Sequence, residues 1–178
     1  MSLTATYDGV LSRIRLAATL LGATATRCVF WRTTNGFVTY DTVRGGWPVA
    51  VSGQNASIDD YEWTPGVATT YRVQSYTDAN LTPVETYDVT STQDLTEVWI
   101  KVPAAPFLNQ PVNVMDRSEV TRRSRSGLFD IVGRSNPVMV GDVASSIAFT
   151  LQLLTETAAQ ERDLDYVFAS GEVVFLQL

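Results

Sequence analysis

The sequence predicts a mainly β protein in two parts that a proline-rich segment separates. Between residues 3 and 102, apolar and polar residues alternate in short runs, which is the period of a strand with one buried face. Glycine, proline and asparagine interrupt these runs, as turns between strands do. A helical pattern occurs only near the C-terminus. We therefore expect a β-sandwich over residues 1–102, a linker over 103–111 and a small α+β unit over 112–178.

The first strands are predicted from alternation and from a turn signal. In SRIRLAA, two arginines alternate with Ile14 and Leu16, so one face of the strand is polar and the other apolar. TRCVFWRT follows, and it is rich in aromatic and β-branched residues. Asn35-Gly36 separates this run from FVTYDTV, and an Asn-Gly pair between two such runs favours a tight hairpin.

The segment EWTPGVATTYRVQSY predicts a corner of the sandwich. Pro65 and Gly66 suit the central positions of a type II turn, because proline presets the first φ and glycine accepts a positive second φ. Tyr71, Val73 and Ser75 then share one face of a strand. With VETYDVTS and TEVWIKV, about seven short strands are present, which is typical of an immunoglobulin-like sandwich. We expect Tyr71, Pro65 and Gly66 to form the structural corner.

The segment VPAAPFLNQP is predicted to be the domain boundary. It carries three prolines in ten residues. Proline fixes its own φ and biases the preceding residue toward extended geometry, so the segment indicates a semi-rigid connector.

The C-terminal part is predicted to place strands around one helix. VNVMD, GLFDIVG and two runs in NPVMVGDVASSIAFTLQLLTET are the expected strands, and EVVFLQL is the last. In TAAQERDLDYVFASG, Thr157 and Gln160 have the spacing of a capping box, and Gly171 stands where a left-handed C-cap is needed. The apolar stripe of this helix is Leu164, Val167 and Phe168.

The composition disfavours most enzyme chemistry. The chain contains no histidine, which removes the commonest general base and metal ligand. Cys28 is the only cysteine, so it cannot form an intrachain disulfide or a zinc cluster, and we expect a buried apolar residue. We expect no catalytic site, no metal and no cofactor.

No membrane or secretory segment is predicted. No apolar run approaches the roughly 20 residues that a membrane-spanning helix needs. The N-terminal MSLTATYDGV lacks the charged region, apolar core and cleavage site of a signal peptide. We therefore expect neither membrane insertion nor a signal peptide.

The acidic residues raise two further possibilities, a calcium site and a pair of catalytic carboxylates. Residues 59–62 group three carboxylates without the alternate spacing and glycine of a calcium loop, so we expect a solvated strand end. Paired carboxylates for glycoside cleavage are defined by distance in space, so the sequence leaves such an activity open.

The densest positive charge lies in DRSEVTRRSRSG. Arginine-rich loops suit bidentate pairing with carboxylates of a neighbouring chain. The net charge of −6 disfavours nonspecific binding of nucleic acid, and we expect no such partner. For this arginine-rich segment we consider three interpretations, in decreasing order of preference. They are an exposed loop, an intersubunit contact and a nucleic-acid contact. The arginines are Arg117, Arg122, Arg123 and Arg125.

TPGVATTYRVQSY resembles the segment of fibronectin type III domains in which a proline-containing turn precedes a strand that begins with tyrosine. In that family the tyrosine anchors a corner of the sandwich, and Tyr71 matches it. The early proline-rich strand of the family has no clear match, and its second-strand tryptophan has none unless Trp31 fills that core role. The resemblance implies a fibronectin type III-like sandwich.

Residues 129–177 resemble the C-terminal region of minor tail proteins of bacteriophages that infect actinobacteria. The strands, the LLTET run, the helix and the ASGEVVFLQ strand correspond in order, and LTATYDGVLSRIRLAA is similar in character. The resemblance implies a structural virion component near the tail tip, synthesised in the host cytoplasm, with tube, hub or tape-measure proteins as partners. The strand-strand-helix-strand unit resembles the half-sandwich of tail-tube and distal-tail proteins, whose copies pair edge strands around a ring.

Assembly is expected through the part after Pro111. EVVFLQL ends the chain as an apolar strand with an uncovered edge, and such an edge pairs readily with another chain. We expect a closed homo-oligomer, six-fold preferred and three-fold next. The candidate intersubunit residues are Arg122, Arg123, Arg125, Val173, Val174 and Phe175.

Two rival functions belong to other classes. A carbohydrate-binding module would hold host-surface glycan through exposed Trp47, Trp63 or Tyr76. A tail-associated glycan hydrolase is the third reading.

Overall fold

A computed structural model describes residues 2–36, 38–77, 81–122, 126–129, 138–141 and 147–177, which form a mainly β protein. Its strands, in chain order, are β1 Ser2–Asp8, β2 Arg13–Thr19, β3 Arg27–Thr33, β4 Asp41–Thr42, β5 Val49–Ala50, β6 Ala56–Asp60, β7 Thr69–Tyr76, β8 Pro83–Ser91, β9 Val98–Lys101, β10 Gln110–Arg117, β11 Thr121–Arg122, β12 Ser126–Phe129, β13 Val138–Gly141, β14 Ile147–Ala148, β15 Leu151–Leu154 and β16 Phe175–Gln177. A short 3₁₀ helix spans Pro106–Leu108, and an α-helix, α1, spans Ala158–Ala169.

The chain divides into two compact units at positions that differ from the expected boundary. The first unit contains residues 1–112 together with 157–178, and the second contains residues 113–156. The helix and the last strand therefore belong with the N-terminal part, because β16 pairs with β9. The second unit begins within β10 and ends just before α1, so it is an insertion into the first unit and not the whole of residues 112–178.

Two antiparallel sheets make up most of the first unit. One has the strand order β1-β2-β6, and the other has the order β4-β3-β7-β8, with β5 also paired to β3. In β2, Ile14, Leu16 and Ala18 are buried, and the residues between them are more exposed, as the alternation predicts. In β7 every second residue from Thr69 to Ser75 is buried, which confirms the predicted faces of that strand.

The buried residues of the two sheets form one core. This cluster comprises Leu3, Ile14, Leu16, Ala18, Leu21, Cys28, Phe30, Val43, Ala56, Trp63, Tyr71 and Val73. Burial of apolar surface on this scale is the main driving force for folding. Burial raises the pKa of the Cys28 thiol to about 12, and Cys28 is the small buried residue that the sequence predicts.

The predicted Asn-Gly hairpin is longer than expected. β3 ends at Thr33 and β4 begins at Asp41, so the connection is not a two-residue turn. The side-chain amide of Asn35 explains the difference, because its oxygen accepts from the Thr33 hydroxyl at 2.8 Å and its nitrogen donates to the Thr39 hydroxyl at 2.8 Å. These local hydrogen bonds compete with continued pairing of the strands.

The proline-rich segment is a tight connection inside the first unit. It joins β9 to β10, which pair antiparallel so that Pro111 lies opposite Trp99. The 3₁₀ helix shortens the path, and the backbone N–H of Val102 donates to the side-chain oxygen of Asn109 at 2.8 Å. Residues 103–111 therefore lie within the first unit, which contains residues 1–112, instead of at its boundary.

Helix α1 begins and ends as the sequence predicts. Thr157 and Gln160 form a complete capping box, and Gly171 takes φ +71° just beyond the C-cap. Leu164 and Val167 are buried, but Phe168 is 56% exposed, so the apolar stripe is narrower than predicted. The described helix is too short and too polar to cross a bilayer.

The second unit is a two-stranded antiparallel ribbon in its described part. Three successive pairings are nested in the sequence: β10 with β15, β11 with β14, and β12 with β13. Between the first two pairings, the N–H of Ser118 donates to the carbonyl of Thr150 at 2.9 Å. This ribbon replaces the predicted strand-strand-helix-strand arrangement, because α1 and β16 lie in the first unit.

Candidate functional site

In its described part, the ribbon of the second unit exposes apolar side chains to solvent. Met115 is 64% exposed and Phe149 is 47% exposed, and Val120 and Leu154 are also exposed. Among residues 113–121 and 148–156, no side chain is buried. A two-stranded ribbon is marginally stable by itself in water, and both of its edges offer backbone groups to another strand. The ribbon is therefore a surface suited to contact with another chain.

The base of the ribbon is held by regular pairing with one irregularity. Asn113 lies opposite Leu154, and the side-chain nitrogen of Asn113 donates to Glu156 Oε1 at 3.4 Å. The register shifts between Val114 and Asp116, which is a β-bulge around Met115. Bulges bend a strand and increase its twist, so the ribbon departs from a flat ladder next to Met115, which is 64% exposed.

The candidate intersubunit arginines are only partly described. Arg122 lies in β11 opposite Ile147, which places it on the ribbon. Arg123 and Arg125 lie outside the described residues. Arg117 is exposed at the end of β10, opposite Leu151.

The candidate intersubunit residues of the last strand lie in the first unit. Val173 is 79% exposed and precedes β16, Val174 is partly buried, and Phe175 is 37% exposed. β16 pairs with β9 along one edge, and no other described strand pairs with it. The strand thus offers an edge, but one that is short.

The end of β16 is tied to the interior by a buried polar cluster that sequence reasoning missed. The Gln177 side chain is 2% exposed, and its nitrogen donates to the Trp63 carbonyl at 2.6 Å. The Ser12 hydroxyl donates to Gln177 Oε1 at 3.3 Å, and the Trp63 indole donates to the Ser12 carbonyl at 3.1 Å. Three distant parts of the chain meet here.

Lys101 completes this cluster with a fully buried amine. Its Nζ donates to the carbonyls of Ser12 and Tyr61, the latter at 3.0 Å, and lies 5.4 Å from the Trp63 ring centroid. Burial lowers the pKa of Lys101 to about 8, while Asp60 opposes that change. The sequence feature that could have indicated this buried amine is the single lysine inside the apolar run VWIKV. The cluster organises the interior and offers nothing to solvent.

The predicted corner residues make two separate contacts, Tyr71 with Asp60 and Gly66 with Gln93. Tyr71 is fully buried, and its hydroxyl donates to Asp60 Oδ2 at 3.1 Å. Burial raises the pKa of Tyr71, and the Asp60 carboxylate raises it further. Gly66 takes φ +68°, as the second central position of a type II turn requires when Pro65 is the first, and its N–H donates to the Gln93 carbonyl.

The carboxylates of residues 59–62 form ion pairs, so the expected solvated strand end is wrong. Asp60 is 1% exposed and pairs with Arg32 at 2.7 Å, and Asp59 pairs with Arg13 at 2.6 Å. Glu62 pairs with Arg44 at 2.6 Å. Across the described ranges, no group of three metal-ligating side chains could hold an ion.

The three candidate glycan contacts do not lie together. Trp63 is 2% exposed and belongs to the core, so it cannot contact a ligand from solvent. Trp47 is 42% exposed and meets Tyr76 edge-on, with ring centroids 5.6 Å apart. Trp31, the candidate for a core tryptophan, is only partly buried and lies outside the core cluster.

No protein-family model, curated protein or solved structure matches this chain.

Proposed function

We propose that this protein is a structural component of a phage tail tip or baseplate, where its copies form or decorate a ring between the tail tube and the host-recognition apparatus. The observation that carries the proposal is the ribbon of residues 113–156. The chain leaves the first unit within β10 and returns to it before α1, and the ribbon exposes Met115 and Phe149 to solvent. An inserted ribbon of this kind gains stability when another chain covers it.

The proposal includes a fibronectin type III-like sandwich in the first unit. The strand orders β1-β2-β6 and β4-β3-β7-β8 support it, because the chain passes between sheets after β2 and again before and after β6, as in Greek-key sandwiches. The position of Tyr71 near the start of β7 also supports it. One departure is that the Tyr71 hydroxyl bonds to the Asp60 side chain, whereas the usual tyrosine corner bonds to backbone.

Ring closure follows if the contact is heterologous. A ribbon on one copy and its binding surface on the next are different patches, and repetition of such a contact forms a ring when the rotation between copies is a whole fraction of a turn. We expect six-fold closure first and three-fold next. The partner proteins in the tail would then be the tube, the hub or the tape-measure protein.

The oligomeric state tests this proposal. Analytical ultracentrifugation over about 1 to 100 µM should show a particle of six or three times the chain mass of 19.5 kDa. A double variant, Met115→Asp with Phe149→Asp, should remain monomeric with an unchanged melting temperature of the first unit. Val10→Asp is the matched control, since Val10 is 83% exposed but lies in the first unit, and it should assemble normally.

Two outcomes would contradict the proposal. The first is a wild-type protein that stays monomeric throughout this range and is also present as a single copy in an isolated tail. The second is an oligomer that the double variant leaves intact.

A further inference from the structure

A depression of about 460 Å³ lies on the outer face of the sheet formed by β3, β7 and β8. Its lining residues are Trp31, Tyr40, Arg72, Gln74 and Thr86. The strand register explains why they meet, because Trp31 lies opposite Arg72 and Gln74 lies opposite Thr86. Apart from Tyr40, these side chains stand on regular strands, which hold a binding surface more precisely than loops do.

The aromatic rings and the guanidinium group form one connected arrangement. The Trp31 and Tyr40 ring centroids are 6.3 Å apart, with the ring planes tilted by 55°. The Arg72 Cζ lies 4.9 Å from the Tyr40 ring centroid. Asp88 receives two hydrogen bonds from Arg72, each of 2.7 Å, so the guanidinium is held in one orientation.

The charges in the depression balance, and this limits the ligands that fit. The hydrogen bonds that Arg72 donates to the Asp88 carboxylate raise the pKa of Arg72, and the pair carries no net charge. An anionic ligand would compete with Asp88 in a protein whose net charge is −6. A purely apolar partner would remove the Arg72–Asp88 pair from water without replacing its hydration, which is costly.

We propose that this depression binds a neutral, hydroxyl-rich saccharide. A sugar ring has apolar C–H faces, which suit the rings of Trp31 and Tyr40, and hydroxyl groups at its rim. Those hydroxyls both donate and accept, so they match the amide of Gln74 and the hydroxyl of Thr86. A few polar groups around an aromatic surface are the usual composition of a ligand site. The site does not depend on the assembly proposal.

Tryptophan fluorescence reports directly on this depression. The chain has four tryptophans. Trp63 and Trp99 are 2% and 4% exposed, so a change of emission on adding ligand comes from Trp31 or Trp47. The probes are maltopentaose, cellopentaose, chitopentaose and mannopentaose, all neutral. We expect at least one to bind with a dissociation constant between about 10 µM and 1 mM, checked by calorimetry.

Three variants locate the site. Trp31→Ala removes the aromatic surface, and Thr86→Arg fills the depression from an exposed strand position; each should weaken binding at least about tenfold. Trp47→Ala is the matched control, because it removes a partly exposed tryptophan that does not line the depression, and binding should stay within about twofold. Melting temperatures confirm that all three variants fold.

Three results would overturn the proposal. One is no binding of any probe at about 10 mM, a concentration at which even a weak saccharide site is occupied. Another is loss of binding in Trp47→Ala with full binding in Trp31→Ala and Thr86→Arg, which would place the ligand at the Trp47–Tyr76 pair. The third is binding of acidic oligosaccharides alone.

Discussion

At the residue scale, Lys101 shows how a charged group can be accommodated in an apolar interior. Its amine has two backbone carbonyls and one aromatic ring around it, and all three lie on segments that also contact Gln177 or each other. Hydrogen bonds satisfy the donors of a buried ammonium group, but they do not replace all of its hydration. The pKa of Lys101 is lowered because this loss of hydration disfavours the charged form of the amine.

This burial predicts that stability rises with pH above neutrality. The folded pKa of Lys101 is about 8, below its ordinary value of 10.5. Between these values the unfolded chain binds more protons than the folded one, so the free energy of unfolding increases as pH rises. Below about pH 8 both states are protonated and the dependence disappears. The full difference corresponds to about 3 kcal/mol at about 1.4 kcal/mol per pKa unit.

Urea unfolding from pH 7 to 9.5 measures this effect. Lys101→Met is the matched variant, because it keeps the length of the side chain and has no titrating group. Its unfolding free energy should lack the rise due to Lys101 and should fall above about pH 9, because the folded Cys28 thiol keeps a proton that the unfolded thiol loses. The unfolding free energy of the wild type minus that of the variant should therefore increase above about pH 8. A difference that stays constant over this window would show that the amine keeps its ordinary pKa.

At the element scale, β16 is part of the first unit. Its backbone pairs with β9, and Gln177 reaches the carbonyl of Trp63 at 2.6 Å. Removing it exposes one edge of β9 and leaves the buried Ser12 hydroxyl without its acceptor. A buried polar group that loses its partner costs about 1–3 kcal/mol.

We therefore predict that deletion of residues 171–178 lowers the melting temperature of the first unit. Gln177→Ala should cause a smaller loss of about 1–3 kcal/mol, because it removes the side-chain contacts and keeps the strand. Thermal unfolding followed by tryptophan fluorescence is the measurement.

Val173→Ala is the control for this prediction. Val173 is 79% exposed and precedes the strand, so its loss should leave the melting temperature unchanged. If deletion of residues 171–178 leaves unfolding unaffected, the polar cluster contributes nothing to stability.

At the scale of the whole molecule, the two units differ in how their stability arises. The first unit has a core in which residues such as Phe30, Leu16 and Tyr71 are fully buried. The described residues of the second unit are joined by antiparallel strand pairing, and their apolar side chains are exposed or only partly buried. Segments with few buried contacts open locally at low free energy.

Limited proteolysis should therefore cut first within residues 113–156 when the protein is dilute and monomeric. The two products should stay associated in native buffer, because β16 remains paired with β9. Thermolysin digestion followed by intact-mass measurement identifies the first cut. A first cut within residues 71–76, or within the connection 103–111, would contradict this division of the chain.

The elements that the sequence predicted correctly are those with local causes. The alternation of β2 and β7, the capping box of α1 and the turn at Gly66 depend on residues close in sequence. Steric preference, side-chain period and capping act over a few residues, so they can be read without a tertiary structure.

Tertiary structure alone decided where the units divide and which side chains meet. Prolines in residues 103–111 indicated a linker, but pairing of β9 with both β10 and β16 made that segment a connection inside one unit. The sequence suggested a core role for Trp31 and an exposed position for Trp63, yet of these two only Trp63 enters the core.

The physical reason is that strand pairing and burial join residues far apart in the chain. Ser12 and Gln177 share a hydrogen bond, and Trp31 meets Arg72 only through the register of β3 and β7. Local sequence does not predict such contacts, because their free energy depends on which distant residues the fold places next to them.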